Sequence, residues 1–181
     1  MEEDFELVKK CLQKDAAAFE KLIDKYQKPI YNLGMRMLGN SDDAEDLTQN
    51  VFIKSWERLN TYDPKHKFFS WLYRIAVNES LNFSNREKRK ERLIDEERYE
   101  NKNSIEREFE KDEQSKRIHE ALNEIEFNYR TVIVLRHYLE LSYAEIAELI
   151  EEPEKTVKSR LFSARKLLKE LFLKKGILYN E

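Results

Sequence analysis

SYAEIAELIEEPEKTVKSRLFSARKLLKEL, residues 142–171, is the stretch from which the rest of the chain is most easily read. Ser142 followed three residues later by Glu145 forms a capping box, so a short helix is predicted to begin there, with Tyr143, Ile146, Ala147 and Ile150 as its buried stripe. Pro153 is expected to end it. A second helix is predicted from about Lys155, with Val157, Leu161, Ala164, Leu168 and Leu171 recurring every three or four residues along one face. The pair reads as a helix-turn-helix. Its second helix carries Lys155, Lys158, Arg160, Arg165, Lys166, Lys169, Lys174 and Lys175 against the single acid Glu170, a charge distribution suited to a helix lying in a major groove. The same composition also describes a solvated basic helix on a protein surface.

The composition narrows the alternatives. Across 181 residues, 38% are charged and only three are Gly and three Pro, which describes an almost wholly helical protein of one or two domains. Net charge is −3, so a nucleic-acid surface must arise from clustering. The lone Cys11 excludes a disulfide framework or a thiolate zinc site, and His66, His119 and His137 lack metal-ligand spacing. No metal and no cofactor are expected. The acidic start MEEDFELVKK is unlike a signal peptide and no apolar run reaches membrane-spanning length, so a cytoplasmic protein without membrane insertion is expected. Nor does any set of acid, base and nucleophile, or any Gly-rich phosphate loop, point to an enzyme.

From the N-terminus, Phe5, Leu7, Val8 and Leu12 predict a short helix closed by Lys14 and Asp15, and Asp15 is a suitable N-cap for the next. In that one, Phe19, Leu22, Ile23, Tyr26, Ile30, Leu33 and Met37 share a face, with a kink or break expected at Pro29 and a stop at Gly39. A helix from Ser41 or Asp42 carries Ala44, Leu47, Val51, Trp56 and Leu59 as candidate inward residues. Asp46, Gln49, Asn50, Ile53, Lys54 and Glu57 are left facing outward, a candidate docking surface for a protein partner. After the polar loop 60–67, Ser70 is expected to cap a helix that buries Phe69, Leu72, Ile75, Ala76 and Leu81. Its other side groups Phe68, Trp71, Tyr73, Arg74, Asn78, Asn82, Phe83 and Asn85, followed by the cations Arg86, Lys88, Arg89, Lys90 and Arg92. Rings interleaved with amides and cations are what stacking of unpaired bases requires, although a packed aromatic core has the same look. From 91 to 114 acids outnumber bases ten to five without an apolar stripe, which reads as a charged linker. The expected division is therefore a domain at 1–93, a linker at 94–114 and a second domain at 115–181.

Three motifs, AEDLTQNVFIKSW (44–56), KFFSWLYRIAVN (67–78) and YRTVIVLRHYLELSYAEIAELIEEPEKTVKSRLFSARKLL (129–168), make the chain resemble a group IV, extracytoplasmic-function sigma factor of bacterial RNA polymerase. The resemblance implies an all-α fold of two small domains, sigma regions 2 and 4, joined by an acidic linker. It implies docking on the clamp coiled coil of the largest subunit of core polymerase through Asp46, Gln49, Asn50, Ile53, Lys54 and Glu57. Melting of the −10 element and capture of its non-template single strand are implied for Asn60, Tyr62, Asp63, Lys65, Phe68, Trp71, Arg74, Asn78 and Asn82. Reading of the −35 element in duplex DNA is implied for Arg136, Lys155, Thr156, Lys158, Ser159, Arg160, Phe162, Ser163 and Lys166. An anti-sigma factor is a further implied partner. Glu151 and Lys155 stand where the family usually has Gly, and Asn82, Phe83 and Asn85 where many members carry Asp and Arg. Two other readings of the residues stay open: an autonomous helix-turn-helix regulator binding duplex DNA, and a helical scaffold with no DNA role.

Overall fold

The Asp15 carboxylate accepts a hydrogen bond from the Ala18 N–H at 3.1 Å, a cap that starts a second helix three residues after the first has ended. The computed structural model describes residues 2–93 and 113–177, with side chains at 3–86 and 116–177, and every regular element among them is helical. The acidic stretch 94–112, and with it the reading of a loose linker, lies outside the described residues. The chain divides into two units, Met1–Gly34 with Asp42–Asp95, and Met35–Ser41 with Glu96–Glu181.

In the first unit, α1 (Glu2–Leu12) is fastened to α2 (Ala16–Leu38) by Asp4. Its carboxylate accepts from the Tyr26 hydroxyl and the Lys25 ammonium, each at 2.7 Å. Burial pushes the Asp4 carboxyl up, but the hydrogen bonds from Lys25 and Tyr26 and the Lys25 charge outweigh it and leave the group below its ordinary value. Of the kink or break expected at Pro29, the break is absent: α2 runs through it as one helix. The lost N–H leaves one carbonyl of the preceding turn without its helical partner. Leu22, Tyr26, Ile30 and Leu33 on either side are all buried, which anchors both halves in the core, and the Tyr73 hydroxyl donates to the Pro29 carbonyl at 3.2 Å. Gly34 is a close-approach position, since a Cβ there would lie 3.1 Å from Cα and Cβ of Ala44.

Helix α3 (Ser41–Glu57) buries Ala44, Leu47, Val51 and Phe52. Trp56, expected inside, is 39% exposed and lies edge-on to Phe19 at 4.8 Å, because Phe52 occupies the interior position one turn earlier. A single 3-10 turn, Leu59–Thr61, leads through the loop to α4 (Phe68–Leu93). This helix begins two residues before the expected cap: the Ser70 N–H already donates to the Lys67 carbonyl, so Ser70 sits in the first turn. With that phase α4 buries Phe68, Leu72, Tyr73, Ala76, Val77 and Ser80, while Phe69, expected inside, is 36% exposed.

In the second unit, α5 (Glu113–Asn123) is followed by α6 (Phe127–Ile133), which continues into a π-helical turn, Val134–Tyr138. Then come α7 (Tyr143–Leu149) and α8 (Glu154–Lys175). Leu122, Ile125, Val132, Leu135, Ile146, Val157, Leu161 and Ala164 form the core. The capping box is present in full: the Glu145 N–H donates to Ser142 Oγ at 3.2 Å and the Ser142 N–H to Glu145 Oε2 at 2.8 Å. Of the stripe predicted for α7 only Ile146 is fully buried, with Tyr143, Ala147 and Ile150 half-buried. Pro153 does not end α7. The chain turns at Glu151, which adopts a left-handed φ of 54°, and Pro153 instead stands at the N-cap of α8. The far end of α8 stops at Gly176, φ 65°, after Lys175 has paired at 2.7 Å with Glu124, in the turn just after α5.

Candidate nucleic-acid and docking surfaces

Helix α8 is seated by Val157, Leu161 and Ala164, all buried, so the residues between them point out of the second unit. Lys155, Lys158, Ser159 and Lys166 are exposed, Phe162 is 74% exposed, and Thr156 and Ser163 are half-buried near the same surface. A phenyl ring left that far in water has no packing role, and it lies among cations. Lys158 pairs with Glu154 one turn earlier at 2.7 Å, and that hydrogen bond raises its pKa above the ordinary lysine value.

Two of the expected duplex contacts are engaged elsewhere. Arg160 is half-buried and donates to Glu152 at 2.8 Å, so its charge is spent inside the unit, on the turn between α7 and α8. Arg136 donates to the Leu141 carbonyl at 2.7 Å, with its guanidinium 5.2 Å from the centre of the Tyr143 ring. It thereby braces the approach to α7. Glu152 escaped the sequence reading because an acid in a turn carries no signal of what it will face. The same holds for His137, whose Nε2 lies 3.3 Å from Nε of Arg165. Burial lowers the pKa of His137, and the charges of Arg165 and Arg136 lower it further.

In the first unit the loop after Leu59–Thr61 is built by its own polar groups. The Thr61 hydroxyl donates to the Arg58 carbonyl, the Tyr62 hydroxyl to the His66 carbonyl, both at 2.7 Å, and the Lys65 N–H to the Asp63 carboxylate at 2.9 Å. Asp63 thus holds the turn around Pro64. Asn60 and Lys65 are exposed and Tyr62 half-buried. Tyr62 packs edge-on to Phe68 at 5.5 Å and against Trp71 at 5.8 Å. Phe68, expected among the base-contacting residues, is 1% exposed: it is the core ring beneath the loop and offers no face to a base. Trp71 is half-buried on its edge, at 5.5 Å from Phe68, and Arg74, Asn78 and Asn82 are exposed along α4.

On α3, Asp46, Gln49, Asn50 and Glu57 are exposed and Ile53 is 57% exposed. Lys54 departs from that row. It is half-buried and pairs at 2.6 Å with Glu79 of α4, a buried acid absent from every expected set. Among the described residues there is no cluster of His, Cys, Asp and Glu able to hold a metal ion, and no helix long and apolar enough to cross a membrane.

The family model for sigma-70 region 2 matches residues 22–90, and that for sigma-70 region 4 matches residues 115–168. The chain is 32% identical over 178 residues to the RNA polymerase sigma-H factor of Pseudomonas aeruginosa, covering 92% of each protein. It is 33% identical over 175 residues to the ECF RNA polymerase sigma factor SigW of Bacillus subtilis, covering 90% of this chain and 93% of that one. Among solved structures, the sigma factor RpoE of Bartonella quintana, in complex with the anti-sigma factor NepR, superposes with a TM-score of 0.69 at 23% identity, over 85% of this chain and 96% of that one. CnrH, in complex with the cytosolic domain of CnrY, gives a TM-score of 0.62 at 24% identity, over 94% and 97%. At those identities the two structures speak for the fold, whereas the sequence relatives and the two region matches speak for the family. The chain belongs to the sigma-70 family and, within it, to the extracytoplasmic-function group of RNA polymerase sigma factors, which recognise promoters for transcription initiation.

Proposed function

We propose that this sigma factor docks on the clamp coiled coil of the largest subunit of core polymerase through Asp46, Gln49, Asn50, Ile53 and Glu57 of α3. Asn60, Tyr62, Lys65 and Trp71, with Arg74, Asn78 and Asn82 along α4, then hold the non-template strand of the −10 element. Lys155, Lys158, Ser159, Phe162, Ser163 and Lys166 of α8 read the −35 element in the major groove. Extruding bases costs a few kcal/mol for each step unstacked, so the captured bases must recover it from rings and amides. The factor performs no covalent chemistry of its own and works in the cytoplasm, where core polymerase meets the genome. The relatives' names, each an RNA polymerase sigma factor, support the polymerase partner. An anti-sigma partner belongs to the same proposal, since the Bartonella quintana protein of like fold is held by one.

The observation that carries the docking assignment is the sidedness of α3. Ala44, Leu47, Val51 and Phe52 are buried, while Ile53 is 57% exposed in a row of polar residues. Gln49→Ala with Ile53→Asp is expected to abolish binding to core polymerase and run-off transcription while leaving helical content by circular dichroism unchanged. Retained binding would remove α3 from the interface. Loss of helicity would show that these residues support the fold instead.

A further inference from the structure

Among the described residues only two acidic side chains are buried, Asp4 and Glu79. Asp4 joins the N-terminal helix to α2, outside both family matches, but Glu79 lies in the middle of α4 at 7% exposure. One of its carboxylate oxygens takes Lys54 of α3 at 2.6 Å and the other faces Asn82 Nδ2 at 3.4 Å. Taking the Glu79 carboxylate out of water is costly even with Lys54 half-buried beside it, and an apolar contact of similar volume would serve stability as well or better. What an ion pair supplies and an apolar contact does not is direction: it holds one register between two helices. Here the register joins the two surfaces assigned above. Lys54 follows Ile53 and stands one turn from Asn50 and Glu57, and Glu79 follows Asn78 and stands one turn before Asn82. We infer that Glu79 is a positioning residue for strand capture, holding Asn78 and Asn82 in register with the docking helix through Lys54, and this rests on the −10 and docking assignments proposed above.

The test uses the full chain assembled with saturating core polymerase. The probe is a short, labelled non-template strand taken from a promoter that the unaltered holoenzyme opens in run-off transcription, and binding is followed by anisotropy. Glu79→Gln is expected to leave the affinity for core polymerase within about twofold and to weaken strand binding about tenfold. Lys54→Met should weaken strand binding by a similar factor. The double variant should be no weaker than either single one, because the two act as a unit. Lys54→Arg, which keeps the pair, should restore most of the binding. Thermal melting of each free variant separates this from simple loss of stability: a lower melting temperature with unchanged strand binding would overturn the inference. So would losses that add in the double variant. Failure of the unaltered holoenzyme to bind the strand would strike the −10 assignment itself and the inference along with it.

Discussion

Arg160 of the recognition helix reaches back to Glu152 in the preceding turn, Nη2 to Oε1 at 2.8 Å, and so turns one of the helix's cations inward. A cation neutralised within the protein releases no counterions from DNA. Arg160→Ala should therefore change the slope of log affinity against log salt by much less than one unit. Lys155→Ala and Lys166→Ala, whose ammonium groups are exposed, should each lower it by about one. Duplex binding of the full chain across a salt series separates the two classes.

Phe162 is 74% exposed, so its removal takes nothing from the core. Phe162→Ala is expected to leave stability within about 0.5 kcal/mol while reducing discrimination between the cognate −35 duplex and a scrambled one. Thermal melting and competition binding measure the two effects independently. A destabilised variant would show that the ring packs within the protein.

Glu151 holds a left-handed φ of 54° in the turn of the helix-turn-helix. That conformation is strained for a residue with a Cβ and free of strain for glycine, though glycine also makes the unfolded chain more flexible. Glu151→Gly should stabilise the second unit by about 0.5 kcal/mol, read as a higher melting temperature. A drop would mean that the Glu151 side chain makes a contribution larger than the strain.

Phe68 and Trp71 are both aromatic, adjacent on α4 and in contact, yet they should respond differently. Phe68→Ala is expected to cost about 3–5 kcal/mol, because the ring is 1% exposed. Trp71, half-buried, should cost less on replacement by Ala but impair promoter opening more than its loss of stability explains. Permanganate reactivity of the −10 region beside thermal melting distinguishes the roles.

Two titratable groups give opposite halves of the chain a pH dependence of the same sign. Asp4 has a pKa below its ordinary 3.8, so its contribution is complete above that value and is lost as pH falls through the folded value. Asp4→Asn should flatten the acid limb of stability. His137 lies below its ordinary 6.5, held there by burial and by Arg165 and Arg136, so protonation opposes folding. Stability should decline as pH falls from about 6.5 through the lower folded value. His137→Gln, which keeps an acceptor for Arg165 but does not titrate, should remove that decline, as a series of melting temperatures against pH would show.

Local signals in the chain were sufficient for much of this protein. A capping box bonds residues three apart, and the inward stripe of α8 repeats every three or four, so Ser142 with Glu145, and Val157 with Leu161 and Ala164, are legible without any neighbour. The motifs in 44–56, 67–78 and 129–168 carried the family for the same reason, each being a contiguous run. Periodicity, however, marks a face without saying which of two adjacent rings enters the core. Phe68 rather than Phe69, and Phe52 rather than Trp56, fill the interior because α2, α3 and α4 leave room only at those places. Nor does a charge in the sequence announce its partner. Lys54 and Glu79 are 25 positions apart, and Arg160 meets Glu152 across a turn whose path depends on the left-handed Glu151. Which cations remain for DNA and which acid links two helices were settled by packing, because an ion pair depends on distance in space and the chain order fixes that distance only within a turn of helix.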